Sequence, residues 1–137
     1  MSPHQPEGQA WDEYGRLRAE LAEPYTKRPL AVYVHVPFCQ IRCGYCDFNT
    51  YTVGFGPGAD RESYDQSALA EMRMGAGILS DAGMPQRPAS SIFFGGGTPT
   101  LLSTDILERL LAGVGENFGI ARGAEIAPSA PRADIRE

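Results

Sequence analysis

The chain has no fourth cysteine. Its three, Cys39, Cys43 and Cys46, fall within eight consecutive positions of a 137-residue sequence. An odd number of cysteines and no secretory signal argue against a disulfide scaffold and lead to the expectation of a cytoplasmic protein. No apolar run approaches the length of a membrane span. Basic residues are in deficit, with 12 Lys and Arg against 17 Asp and Glu for a net charge of -5, so there is no electrostatic footprint for a nucleic-acid partner. There is one Trp, there are two His, and no internal repeat is visible. What remains is ordinary globular composition, 42% hydrophobic and 21% charged, in a length that suits one domain or part of one.

The spacing Cys39-x3-Cys43-x2-Cys46 lets three thiolates converge from one tight loop onto a single inorganic core. Iron-sulfur clusters are held by such thiolates, and a cubane has four irons to satisfy. With three cysteines one iron lacks a protein ligand, and an open metal position is where a substrate or cosubstrate binds. A structural zinc site is the competing reading; it needs a fourth ligand, for which His35 is the only nearby candidate.

Residues 1–10 are small and polar and read as a disordered leader, followed by a short helix over Trp11–Ala22 that ends before Pro24; residues 1–29 thus precede the core. Leu30–Val36 is β-branched and aromatic, with the continuous apolarity of a parallel strand covered on both faces. The cysteine loop follows its carboxyl end, where α/β barrels place their active sites. After the Gly- and Pro-rich piece 54–58, Ser63–Leu79 has helical periodicity and a Ser63/Gln66 capping box. Met72, Met74 and Met84 read as core and loop filler rather than sulfur ligands. A short strand, Ser91–Phe94, runs into Gly95-Gly96-Gly97-Thr98-Pro99, where glycine lets the backbone approach a ligand closely. Ser103 caps a helix with an apolar face of Ile106, Leu107, Leu110, Leu111, Val114 and Phe118. Pro128 and Pro131 exclude the tail 127–137 from a central strand, and it reads as disordered.

The cysteine loop and glycine turn together resemble the radical S-adenosylmethionine (SAM) superfamily. Tyr33-Val-His-Val-Pro-Phe-Cys39 with Gly95-Gly96-Gly97-Thr98-Pro99 is, more narrowly, similar to its oxygen-independent coproporphyrinogen III oxidase group, over about residues 30–126. The resemblance implies an α/β fold, the N-terminal part of a partial (β/α)6 TIM-like barrel, apparently truncated or frame-shifted. It implies a [4Fe-4S] cluster on Cys39, Cys43 and Cys46, with SAM on the free iron. Tyr33 and Tyr45 would contact SAM, and Gly96, Gly97 and Thr98 would line its methionine end. The decarboxylating enzymes of the group carry a further cysteine two positions after the third; Phe48 stands there, as in the branch of haem chaperones that bind haem and pass it to an acceptor protein. Haem or porphyrin is therefore an expected partner. The alternatives are a coproporphyrinogen dehydrogenase that cleaves SAM reductively, or an inactive fragment of either. The group's ribose-binding glutamate position falls on Ser129, which implies weakened SAM binding.

Overall fold

A computed structural model describes residues 10, 12, 14–40, 44, 50–52 and 60–128. Three parallel strands form its centre: β1 (Leu30–Val36), β4 (Ala89–Gly96) and β5 (Ile120–Pro128), in the order β1-β4-β5. Two helices, α2 (Tyr64–Asp81) and α3 (Thr104–Phe118), make the crossovers between them. Period-two alternation decides which face they cover. Val34 and Val36 of β1 and Ile92 and Phe94 of β4 are buried in one cluster with Met72 of α2 and with Ile106, Leu110 and Val114 of α3. The intervening Tyr33 and Phe93 are 54% and 43% exposed. Among the described residues the helices thus cover one face of the strands, whose continuous apolarity suits cover on both.

The cysteine segment is more ordered at its root than a loop. Phe38–Cys39 forms β2 and pairs in parallel with β3 (Tyr51–Thr52), so the chain leaves and re-enters the fold beside itself.

The helix expected over Trp11–Ala22 is reduced to α1 (Ala19–Ala22), which runs into a 3-10 turn over Glu23–Tyr25. The Asp12 carboxylate accepts the Tyr14 amide hydrogen at 2.8 Å and binds Arg16, a local turn that competes with helix. Gly15 then takes φ 69° and Arg18 is extended, which stops helical propagation from the amino-terminal side. Trp11 lies outside the described residues.

α2 begins where the pattern indicated but without the expected capping box: Ser63 makes no side-chain cap bond. Just before it the Asp60 carboxylate accepts the Glu62 amide hydrogen at 2.9 Å and is held below the usual carboxylate range, first by that bond and then by the nearby Ser63 hydroxyl. α3 is capped as read, Ser103 Oγ accepting from the Ile106 amide at 3.4 Å. Met72 is buried as expected, whereas Met74 is 61% exposed. β4 is longer than Ser91–Phe94, and β5 runs from Ile120 through Pro128, past the boundary set at Ile126. Pro128 is tolerated because it ends an edge strand, pairing with Phe94 of β4. A register shift between Ala89 and Ser91 bulges β5 between Ile120 and Glu125. Ser129, where the ribose contact was sought, lies outside the described residues, as does the rest of the tail.

α2 and α3 approach closely at Gly113, where an added Cβ would strike Leu69 Cδ2 and come within 3.3 Å of Met72 Sδ. Asp65, at the start of α2, receives Arg109 of α3 at 2.6 Å, its own side chain being 7% exposed. Gly113→Val should therefore lower stability by about 1–3 kcal/mol through overpacking, read as a lower melting temperature. An unchanged melt would show that the helices separate more easily than this packing implies.

Candidate functional site

β1 and β4 end side by side, and their ends carry the two motifs. The register pairs His35 with Gly95 and Val36 with Gly96. Beyond the ladder the glycine turn stays bound to the cysteine segment: the Gly97 amide donates to the Val36 carbonyl at 2.8 Å and the Thr98 amide to the Phe38 carbonyl at 2.6 Å. This approach depends on missing side chains. A Cβ on Gly97 would strike the Phe38 carbonyl oxygen and lie 2.8 Å from Cys39 Sγ; one on Gly96, which has φ 108°, would lie 2.7 Å from the His35 ring.

Cys39 is a free thiol, buried at 8% exposure. The Phe38 ring before it is buried edge-on to Tyr64, at 5.5 Å and 81°. The Tyr64 hydroxyl donates to the His35 carbonyl oxygen. Burial, with smaller contributions from Glu71 and Tyr33, pushes the Tyr64 phenol up to about 12, so it stays protonated and donating at neutral pH. On the open face Tyr33 stacks on Phe93, ring centroids 5.9 Å apart at 17°, and its hydroxyl shares a 3.0 Å hydrogen bond with His35 Nδ1. Thr50, just before β3, is buried with a hydroxyl that has no hydrogen-bond partner among the described residues.

Five of the eight residues expected at the site are thus described: Cys39, Gly96, Gly97 and Thr98 meet just beyond or at the carboxyl ends of β1 and β4, and Tyr33 lies in the middle of β1, linked to them through His35. Cys43, Tyr45 and Cys46, with Phe48, lie outside the described residues. Among the described residues no group of three His, Cys, Asp or Glu side chains is placed to hold a metal ion. Sequence reasoning did not find Tyr64, Phe38 or the β2-β3 pair. Tyr64 had the signal of an apolar helix position, and spacing alone cannot show that its hydroxyl reaches a carbonyl 29 residues earlier. A cavity of about 370 Å³ lies away from these motifs, between the first residue of β1 and the carboxyl-terminal ends of α2 and α3.

No family model matches the chain. Individual proteins do. The haem chaperone HemW of Mycobacterium tuberculosis is 38% identical over 107 residues, 78% of this chain and 26% of the relative. HemW of Escherichia coli K12 is 38% identical over 104 residues, 74% of this chain and 25% of the relative. The oxygen-independent coproporphyrinogen III oxidase of Salmonella typhimurium is 36% identical over 103 residues, 75% and 21% respectively. The solved structure of E. coli coproporphyrinogen III oxidase (HemN), a radical SAM enzyme, superposes with a TM-score of 0.68 at 29% identity over 86% of this chain and 26% of the other. Over about three quarters of its length the chain is thus similar to the oxygen-independent coproporphyrinogen III oxidase-like group of radical SAM proteins. It spans about a quarter of the length of these relatives, and its three-stranded parallel sheet and flanking helices match part of the HemN fold.

Proposed function

We propose that this chain carries the cluster- and SAM-binding portion of a haem chaperone-like radical SAM protein of the cytoplasm. The observation that carries the reading is the contact between Gly97 and Cys39: a buried free thiol at a strand end, faced by a turn whose glycine keeps the space at its sulfur clear. That donor chemistry fits an iron-sulfur cluster. Cys39, Cys43 and Cys46 are the assigned ligands. When bound, the cluster supplies a redox centre with one open iron, and SAM supplies the amine and carboxylate that fill it.

The chain's own residues would then divide the work. The backbone of Gly96, Gly97 and Thr98 borders the methionine end of SAM, with no side chain between main chain and ligand. Tyr33, oriented by Phe93 on one side and His35 on the other, borders the other end together with Tyr45. Next to Tyr33 the half-exposed Phe93 ring adds a flat apolar surface of the kind that suits a porphyrin, which supports haem as the larger ligand.

Phe48, in place of a further cysteine, supports the chaperone over the dehydrogenase. Haem titration followed in the Soret region, with chromatography for 5'-deoxyadenosine under reductant, separates the two. Haem binding with little or no 5'-deoxyadenosine is expected. Substantial 5'-deoxyadenosine without haem binding would establish the dehydrogenase reading instead.

A further inference from the structure

We propose that Tyr64 is a positioning residue: from α2 it holds the Phe38–Cys39 strand in register with the glycine turn and so sets where the Cys39 thiolate is presented. In a parallel ladder successive carbonyls point to opposite sides of the strand. The Val36 carbonyl points toward β4, where it accepts from Gly97, so that of His35 points to the opposite edge of β1. No strand covers that edge among the described residues. The Tyr64 hydroxyl does. Pro37, which follows, has no amide hydrogen to contribute.

The carbonyls of His35, Val36 and Phe38 are each held, two by the glycine turn and one by Tyr64, whose ring also packs edge-on against Phe38. The start of α2 is itself anchored twice more: Arg61 Nη1 donates to the Leu101 carbonyl at 3.4 Å, and Asp65 pairs with Arg109. The residues leading into α2 and its first turn therefore tie the segment after β1 to the segment after β4. The geometry stands on its own; what Cys39 binds rests on the proposed function.

The test uses the full chain, reduced and free of metal, under iodoacetamide, with alkylation of each cysteine resolved by mass spectrometry. Cys43 and Cys46 in the same molecule serve as references. Tyr64→Phe removes the hydroxyl and keeps the ring. It should raise the Cys39 rate relative to the other two by about fivefold, the effect of one lost hydrogen bond on local opening, while the melting temperature moves by about 3 °C or less. Arg87→Gln, which removes the bonds to the Tyr25 and Arg28 carbonyls ahead of β1, away from the Tyr64 turn, should lower the melt at least as far and leave that ratio within about twofold of wild type. A Tyr64→Phe ratio equal to wild type, or an equal rise in Arg87→Gln, would overturn the proposal. In parallel, both chains are reconstituted with iron and sulfide. Equal uptake with about fivefold faster loss to a chelator in Tyr64→Phe is expected. A wild-type chain that takes up no cluster would defeat the proposed function, while the alkylation ratio would still decide the role of Tyr64.

Discussion

Gly97→Ala is expected to remove cluster binding and to destabilise the fold by about 2–4 kcal/mol, although it adds a single methyl group. The new carbon would meet the Phe38 carbonyl oxygen, which is backbone and cannot rotate away as a side-chain tip can, and would sit 2.8 Å from Cys39 Sγ. To accommodate it the turn must lift from the cysteine strand, which breaks the bonds from Gly97 to Val36 and from Thr98 to Phe38. Against the roughly 5–15 kcal/mol that typically stabilises a domain, that loss is large. Gly75→Ala provides the contrast. Gly75 lies within α2 with nothing inside 4 Å of its would-be Cβ, so alanine should stabilise by about 0.5–1 kcal/mol through helix propensity alone. Denaturant melts of the two variants, with iron content after reconstitution, should move in opposite directions; equal effects would mean that the close approach at Gly97 is not what its geometry implies.

The second large effect is in the core. Leu110 is fully buried, in the middle of the α3 face that packs on β1 and β4. Leu110→Ala should cost about 2–5 kcal/mol, the sum of lost transfer energy and the cavity left behind. Among the described residues this is the core cluster that covers the sheet, and the expected outcome is a chain that is largely unfolded near 37 °C. Tyr33→Ala, on the open face, should leave the melt nearly unchanged. A small shift for Leu110→Ala by circular dichroism would show that α3 is not the principal cover of the sheet.

What was legible in the sequence was the part governed by local periodicity. β1 matches its predicted range, α3 its cap and apolar face, and the glycine turn falls at the strand end where it was placed. What was not legible depended on long-range neighbours. The apolarity of β1 suits cover on both faces, but composition cannot say which face the helices of this chain take; that follows from the period-two alternation. Pro128 read as a breaker because the edge position of β5 is a property of strand order. Trp11–Ala22 read as one helix because the positive φ of Gly15 and the Asp12 turn are local choices that an apolar pattern does not report. At the site, the two motifs could be named from residue types, but the clamp between them rests on carbonyl directions that only the register reveals.

The claim on which the rest depends is that three cysteines of this chain hold one iron-sulfur cluster with an open iron. Anaerobic reconstitution with iron and sulfide, followed by metal analysis and electron paramagnetic resonance of the reduced protein, tests it most directly. The expected result is a brown chain with the signal of a reduced [4Fe-4S] centre that changes on addition of SAM, and no such species in Cys39→Ala or Cys43→Ala. A stoichiometric zinc ion in the native chain, or a cluster that survives Cys43→Ala, would contradict it.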